Sequence, residues 1–352
     1  MCSDSARAFL LALPKCEHHL HIEGTLEPTM LFALAEKNGI ELPQPQYSTI
    51  AALEERYRNF TSLDDFLWFF NRAMDCLRTK EDFSALAYAY LERAASEGLR
   101  HAEVSVDVQA HTARGISLET VIGGLRDGLA RGERDFSLSA SLHACFVKHL
   151  SVESALEMVQ SLEPYVQSGA IVGLGADSTE RGNPPSKFAP VYDLARSLSY
   201  PHLTIHAGEE GPSASVRSAV VDLGLSSRID HGVRAAEDDN LLELLREKGT
   251  LLTLCPLSNV RLRVHESVAE APVRKLLEKG VAFSLNSDDP AYFGGYILDN
   301  YLAVHAAFSL SKPEWATIAR QSIDGSWCAE ERKVELRGLL EGVMREWDGR
   351  EI

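Results

Sequence analysis

The chain has 352 residues, of which 45% are hydrophobic and 24% are charged, and its formal net charge is −16 at pH 7. This composition is that of an ordinary globular protein, and no apolar run reaches the roughly 20 residues of a membrane span. The negative charge disfavours nucleic acids and anionic membrane surfaces as partners, because both attract clusters of Lys and Arg. We expect a small neutral or cationic molecule as the partner, and no pattern in the sequence indicates a particular oligomeric state.

The six cysteines are far apart in the sequence and include no C-x-x-C pair, which excludes a zinc ribbon and a disulfide framework. They are Cys2, Cys16, Cys76, Cys145, Cys255 and Cys328. The first residues lack the basic segment of a signal peptide. We therefore expect reduced thiols and a cytoplasmic protein, with the nucleus as a second location.

Eight short β-rich runs are each followed by a helical pattern. They cover residues 15–22, 100–107, 136–146, 170–176, 202–206, 227–231, 250–255 and 281–286. Helical patterns between them end at glycines, as at Gly249 and Gly280, which is typical of helix C-termini. Eight alternations without a long polar linker predict one α/β domain over residues 1–352, a single (β/α)₈ TIM barrel.

About 75 residues separate the first two predicted strands, far more than the 2 to 6 of an ordinary βα loop. We expect a helical insertion at about residues 25–98 over the mouth of the barrel, where active sites of this fold lie. Residues 60–70 read as an amphipathic helix rich in aromatic side chains. These aromatics either form a lid that lines the ligand pocket or pack between helices; they are Phe66, Trp68, Phe69 and Phe70. The residues after the eighth strand predict extra C-terminal helices.

His19 and His21 have the spacing of half a metal site, because residues i and i+2 of a strand point to the same side. Catalytic zinc usually takes three protein ligands and leaves one position for water. His206 and Asp288 end two later strands and can complete the site. Three neutral imidazoles and a carboxylate suit one Zn²⁺ per chain, with iron or manganese as alternatives. Zinc lowers the pKa of a bound water to about 7.

Three further polar residues lie at the same end of the predicted barrel. Glu209 follows His206 by three residues and is the candidate proton carrier. His231 can orient or deprotonate the water, and Asp289 can accept a hydrogen bond from the substrate. A zinc barrel that acts only as a binding module is an alternative, although such a protein would not need Glu209 and His231 beside the metal.

Five motifs carry a resemblance to a known family: CEHHLHIEGTLEP, HAGEEGP, SRIDHGV, CPLSNVRL and NSDDPAYFGGY. In this order and spacing they resemble the adenosine/adenine deaminase family. NSDDPAYFGGY, RIDHG and DVQAHTARG are closest to its adenine deaminase branch. The resemblance covers roughly residues 13–301.

The resemblance implies a zinc barrel whose metal ligands are His19, His21, His206 and Asp288. It also implies that Glu209 protonates the purine N1, that His231 assists the zinc hydroxide and that Asp289 contacts the base. The expected reaction is the hydrolysis of adenine to hypoxanthine and ammonia in purine salvage. Deamination of adenosine to inosine is the alternative.

Glu23 bears on the choice between these substrates. In adenosine deaminases the corresponding residue is typically an Asp that contacts the ribose. The longer side chain of Glu23 would enter the space of a ribose and could accept a hydrogen bond from N9–H of the free base. A site built around such a donor rejects analogues that lack it by as much as ~10⁴ to 10⁵. Alternatively, Glu23 braces the loop after the first strand.

Two further stretches have structural explanations. Strand alternation predicts that His18 points away from the metal, as a packing or second-layer residue. Gly173 and Gly175 lack the third glycine of a dinucleotide loop and fit a turn or close backbone packing. The resembled family approaches the purine N3 with a backbone amide in this stretch, and Ala176 stands where its usual glycine would be.

Overall fold

Parallel β-strands form the centre of the protein, for which a computed structural model describes residues 3–352. The strands are β1 (Lys15–Glu17), β2 (Leu99–Val106), β3 (Ser139–Val147), β4 (Gly173–Asp177), β5 (His202–Leu203), β6 (His206–Ala207), β7 (Arg228–His231), β8 (Leu251–Leu254) and β9 (Phe283–Leu285). They pair in the order β1-β2-β3-β4-β5 and β6-β7-β8-β9, and each strand is parallel to its neighbours.

The segments β5 and β6 are two halves of one barrel strand. Between them, the amide of Thr204 donates to the carbonyl of Leu174 at 2.9 Å. The amide of Asp230 donates to the carbonyl of Ile205, also at 2.9 Å. The pairing thus continues from β4 across the interruption to β7, and the nine segments occupy eight strand positions.

The ring of strands closes between β9 and the segment that follows β1. The amide of Asp288 donates to the carbonyl of His19 at 3.1 Å, and the amide of His21 donates to the carbonyl of Asp288 at 3.1 Å. These bonds close the ring of strands. The predicted (β/α)₈ barrel is therefore confirmed.

The first predicted strand, residues 15–22, is the one whose length differs most from the structure. Regular pairing stops at Glu17, because the amide of His18 donates to the side-chain oxygen of Asn286 at 2.8 Å. Leu20 and His21 still make single bridges to the neighbouring strands. The other predicted strands differ from β2–β9 by a few residues at their ends.

Helices surround the barrel and extend it at the predicted places. They are α1 (Asp4–Ala12), α2 (Pro28–Asn38), α3 (Ile50–Tyr57), α4 (Leu63–Met74), α5 (Lys80–Ser96), α6 (Val108–Thr112), α7 (Leu118–Phe136), α8 (Val152–Ser161), α9 (Glu163–Gln167), α10 (Ala189–Ser197), α11 (Ser213–Val221), α12 (Asp239–Lys248), α13 (Pro256–Arg261), α14 (Val273–Lys279), α15 (Pro290–Phe293), α16 (Ile297–Phe308), α17 (Lys312–Gly325) and α18 (Glu330–Glu346). Within residues 3–352, no helix is both long enough and apolar enough to cross a membrane.

Helix α4 is the predicted aromatic helix of the insertion. Its N-terminus is capped by Ser62, whose hydroxyl accepts a hydrogen bond from the amide of Asp65 at 3.2 Å. The buried face carries Phe66, Phe69 and Phe70. Phe69 packs among the other aromatics of the insertion, whereas Phe66 and Phe70 reach the central cavity.

Helices α17 and α18 lie at the C-terminal end of the chain, where extra helices were expected. The hydroxyl of Ser322 in α17 donates to the carbonyl of Cys16 in β1 at 2.9 Å, which ties this helix to the barrel wall. The five cysteines from Cys16 to Cys328 have free thiols. Cys2 lies outside the described residues.

Candidate active site

Four side chains converge at the C-terminal end of the barrel, and all of them are buried. His19 and His21 follow β1, His206 begins β6, and Asp288 follows β9. One ligand atom from each lies within 4.8 Å of those of the other three. Nε2 of His19 is 3.2 Å from Oδ1 of Asp288, and Nε2 of His21 is 3.2 Å from Nε2 of His206. The structure therefore brings together the four residues predicted as metal ligands, and we call this group the metal cluster.

Hydroxyl groups behind the metal cluster fix the tautomers of two histidines. Thr253 donates its hydroxyl proton to Asp230 at 3.1 Å, so it can only accept from Nδ1 of His19 at 2.9 Å. Ser105 similarly donates to a backbone carbonyl and accepts from Nδ1 of His21 at 3.1 Å. With the proton on Nδ1, each Nε2 keeps its lone pair for a metal ion.

The donor set fits a divalent cation. Nδ1 of His206 lies 3.7 Å from Oδ2 of Asp230 and has no hydrogen-bond partner. Burial lowers the pKa of His206 well below its ordinary value, which favours the neutral imidazole that a metal requires. Nε2 of His21 and Nε2 of His206 face each other at 3.2 Å, so that both nitrogens can point at one cation. Three neutral imidazoles and one carboxylate suit zinc.

Glu209 and His231 lie beside the metal cluster. Nε2 of His231 is 3.4 Å from Oε2 of Glu209, and Asn259 donates to Oε1 of Glu209 at 3.4 Å. Burial, together with the charge of Asp288, raises the pKa of Glu209 well above its ordinary value. His231 has a positive φ of 59°, which non-glycine residues rarely adopt, and Asp288 of the metal cluster has one of 63°.

The loop that carries Glu209 is held by a residue that we did not predict. The carboxylate of Glu180 accepts hydrogen bonds from the amides of Gly208, Glu209 and Glu210 at 2.8, 2.7 and 3.2 Å. Three consecutive amides thus point at one buried carboxylate. The sequence offers little signal for this contact, because Glu180 lies in a loop 28 residues before Gly208.

The structure places the two predicted base-contacting residues in different environments. Asp289 lies in the cavity wall, and its buried Oδ1 has no hydrogen-bond partner. Oε1 of Glu23 accepts from the amide of Asp107 at 3.0 Å and pairs with Nε2 of His111 at 2.8 Å, while its Oε2 is buried without a partner. Burial raises the pKa of Glu23 to about 7. Its contact with the base remains a prediction, and its bonds to Asp107 and His111 brace the loop after β1.

Two further acidic residues lie in the cavity wall, and sequence reasoning missed both. Asp107 directly follows β2 and Asp177 ends β4. Burial raises the pKa of both carboxyl groups, and the charge of Asp107 raises that of Asp177 further. Polar residues at the C-terminal ends of barrel strands are often part of the active site. Asp107 and Asp177 both have this position, so the sequence contained a signal for them.

His18 points away from the metal cluster, as strand alternation predicted. Its Nδ1 lies 3.0 Å from the hydroxyl of Ser284 and its Nε2 lies 2.8 Å from that of Ser326. Burial lowers its pKa well below the ordinary value. His18 therefore links the barrel to α17 and the turn that follows it.

The site opens into a cavity of about 510 Å³. Its floor contains His21, His206, His231, Asp288, Asp289 and Glu209, and its outer wall includes Phe66, Leu67, Trp68 and Phe70 of α4. Such a volume is typical of a small-molecule site. Of the four lid aromatics considered from the sequence, three line the cavity and Phe69 does not.

The chain is similar to known proteins over nearly its whole length. A family model described as adenosine deaminase matches residues 14–343. An adenine deaminase from Kluyveromyces lactis is 48% identical over 347 residues, covering 98% of this chain and 98% of the relative. One from Aspergillus fumigatus is 48% identical and covers 96% of each chain.

Two solved structures are similar over nearly the whole length. The crystal structure of an adenine deaminase from Arthrobacter aurescens has a TM-score of 0.90 and 44% identity, covering 95% of this chain and 99% of that one. A zinc-bound amidohydrolase from Burkholderia ambifaria has a TM-score of 0.86 and 25% identity, covering 98% and 96%.

Proposed function

This chain belongs to the adenosine deaminase family, and on that basis we propose that it hydrolyses adenine to hypoxanthine and ammonia. The observation that carries the proposal is the position of Glu209, which lies beside the metal cluster in one buried cavity. The adenine deaminases that align with nearly the whole chain support adenine as the substrate. We place the reaction in purine salvage in the cytoplasm, where free thiols are stable.

We assign one zinc ion per chain to His19, His21, His206 and Asp288. The zinc in the Burkholderia amidohydrolase and the donor set of the cluster support this choice. When bound, zinc acts as a Lewis acid and lowers the pKa of a bound water to about 7.

Glu209 carries the proton that is transferred to N1 of the purine. Its raised pKa favours the protonated carboxyl group near neutral pH, and this form can donate to N1 of the purine. Protonation of N1 draws electrons from C6 and makes that carbon more susceptible to attack by the oxygen of water. After the addition, a proton must reach the amino group so that it leaves as ammonia, and a carboxyl group can serve as acid and base in turn.

His231 accepts a proton from the attacking water. Burial lowers its pKa well below the ordinary value, so its ring is neutral and can accept a proton or a hydrogen bond. Its Nε2 lies 3.4 Å from Glu209 and 3.9 Å from Oδ2 of Asp288. This position lets His231 take a proton from the attacking water while Glu209 serves the ring nitrogen.

Asp289 orients the base through its unpartnered Oδ1, which can accept a hydrogen bond from the purine edge. Glu23 is the second candidate for a contact with the base, because its Oε1 is engaged by Asp107 and His111 while its buried Oε2 has no hydrogen-bond partner. Helix α4 covers the mouth as a lid within one domain that spans the chain.

The direct test is ultraviolet monitoring of adenine, adenosine and AMP with the zinc-loaded protein. We expect rapid turnover of adenine, a kcat/KM for adenosine lower by up to ~10⁴, and no turnover of AMP. Equal rates for adenosine and adenine would instead make the protein an adenosine deaminase that forms inosine. A zinc-loaded protein without activity on any of the three would be a binding module.

A further inference from the structure

Two carboxyl groups in the cavity wall lack hydrogen-bond donors. Apart from the carboxyl group of the other residue, neither oxygen of Asp177 has a hydrogen-bond partner, nor has Oδ1 of Asp107, although the two residues are only 4% and 7% exposed. Ligand atoms of Asp107, Asp177 and His21 lie within 4.8 Å of one another. Buried carboxylates normally have donors, because burying one without any is energetically unfavourable. These two carboxyl groups therefore have the geometry of a subsite that a ligand completes.

The pair lies beside the metal cluster but on different strands. Asp107 and Asp177 follow or end β2 and β4, whereas the metal cluster and Glu209 come from β1, β6 and β9. The ring of His21 contacts both groups. Its Nε2 lies 3.5 Å from Oδ1 of Asp288, and its Nδ1 lies 3.6 Å from Oδ2 of Asp177. A planar molecule whose reacting carbon lies at the metal cluster can therefore reach the acidic pair with another of its edges.

In adenine, C6 adjoins the imidazole ring at C5, and N9 is the nitrogen of that ring that lies away from the 6-amino group. The free base carries an N–H on this ring, whereas adenosine lacks it because N9 bears the ribose. We propose that Asp177, with Asp107 beside it, accepts a hydrogen bond from this N–H and so selects free purine bases over N9-substituted purines. This inference rests on the proposed function, since it assumes that C6 is the reacting carbon.

Glu23 is less well placed for this contact. Its Oε1 is already engaged by the amide of Asp107 and by His111, at 3.0 and 2.8 Å. Among the described residues that line the cavity, Asp107 and Asp177 are present and Glu23 is not. Glu23 therefore supports Asp107 from behind, and the acceptors that face the ligand belong to the acidic pair.

A second cation is the competing occupant of the subsite. Nδ1 of His21 already bonds the hydroxyl of Ser105 at 3.1 Å, so a cation there would have only the two carboxylates as protein ligands. A neutral N–H donor needs no further ligands. The contacts therefore favour the purine edge.

The first experiment compares adenine with 9-methyladenine on the wild-type zinc enzyme. The methyl group removes the N9–H without adding a ribose, and we expect kcat/KM to fall by ~10² or more, since a site built around a donor rejects analogues that lack it. The same loss is expected in the inhibition constants of hypoxanthine and 9-methylhypoxanthine, which report binding without turnover. These wild-type measurements decide the matter even if a variant fails to fold.

The second experiment uses Asp177→Asn, which keeps the size of the side chain and replaces one of its two oxygens with an NH₂ group. We expect kcat/KM for adenine to fall about ten- to hundredfold, because one acceptor is lost and a donor faces the N–H of the base, while 9-methyladenine is unaffected. The matched control is Asp193→Asn on α10, the helix that follows the same strand. The Asp193 side chain is 75% exposed, and neither substrate should respond to its replacement.

Each contrary outcome has a distinct meaning. Equal turnover of adenine and 9-methyladenine would overturn this inference and leave the proposed function intact, whereas no turnover of adenine would overturn both. A collapse of substrate preference in Glu23→Gln but not in Asp177→Asn would assign the contact to Glu23 and contradict our proposal. Two zinc ions per wild-type chain and one in Asp177→Asn would show that the pair binds a cation instead.

Discussion

Gly24 lies directly against Asp289, so that a Cβ atom on Gly24 would come within 2.0 Å of Oδ1 and 2.6 Å of Cα of Asp289. Because backbone as well as side chain is in the way, Gly24→Ala must displace Asp289 from the cavity wall. We expect kcat/KM for adenine to fall at least about tenfold and stability to fall by ~1–3 kcal/mol, as overpacking typically does. Steady-state kinetics and thermal unfolding measure the two effects.

Gly338→Ala is the matched control for this substitution. Gly338 lies in α18, and a Cβ atom there has no neighbour within 4 Å. Alanine also favours a helix over glycine by about 1 kcal/mol. Activity should be unchanged and stability equal or higher; wild-type activity in Gly24→Ala would show that the position of Asp289 does not matter for turnover.

His206→Ala tests the metal cluster. Removal of one imidazole leaves His19, His21 and Asp288 without their fourth member, so we expect loss of both bound zinc and turnover. Zinc content by elemental analysis and adenine kinetics give the result. His202→Asn, four residues earlier in the same barrel strand, is the control and should retain zinc. Full activity in chelator-treated, metal-free protein would contradict the assignment.

Glu209→Gln separates proton transfer from metal binding. Glutamine keeps the size and polarity of the side chain but cannot cycle a proton, so zinc should be retained while kcat falls by ~10² or more. Zinc content and kcat must be measured on the same preparation. Loss of zinc from this variant would make Glu209 a metal ligand and reverse the division of roles.

The local pattern of the sequence predicted the strands of the barrel and one half of the metal cluster, because strand–helix alternation and the H-x-H spacing are short-range features. Strand–helix alternation gave the strand positions, and the spacing of His19 and His21 gave half of the site. The contacts that orient these rings come from other strands, as with Thr253, which is 234 residues from His19 in the sequence. No local pattern predicts such a contact.

Glu23 illustrates the same limit within the site. Its position two residues after His21 predicted a contact with the base, but its observed partner His111 is 88 residues away. Asp177 was detectable in principle, since it ends a strand. The sequence alone could not indicate that its oxygens lack donors, because that depends on every side chain packed around it.

Glu180→Gln tests whether the loop after β6 must be held in place. A glutamine has one acceptor oxygen, and its NH₂ group would face an amide N–H, so at least one of the three hydrogen bonds from Gly208, Glu209 and Glu210 is lost. We expect kcat to fall about tenfold or more, with KM and zinc content little changed. Glu157→Gln, at an exposed position of α8, is the control. A fall in stability with unchanged kcat would limit Glu180 to a structural role.

Lys15 gives a prediction for the dependence of stability on pH. Its ammonium group is fully buried and donates to the carbonyls of Leu10 and Leu13 at 2.6 and 3.1 Å. Burial lowers the pKa of Lys15 from 10.5 to about 7, although the charge of Glu97 acts in the opposite direction. Between these two values the unfolded chain binds one more proton than the folded protein does, so this residue makes the free energy of unfolding rise with pH.

Lys15→Met removes this titration and keeps an unbranched, apolar side chain of similar length. The substitution has some effect on the melting temperature at neutral pH. Relative to the wild type, the melting temperature of Lys15→Met should then fall as the pH is raised from 7 to 9.5. The expected change corresponds to about 1–3 kcal/mol, since each pKa unit is worth ~1.4 kcal/mol. Thermal unfolding of both proteins at several pH values measures it, and Lys279→Met on the exposed surface is the control. A difference that does not change with pH would show that Lys15 keeps an ordinary pKa in the folded protein.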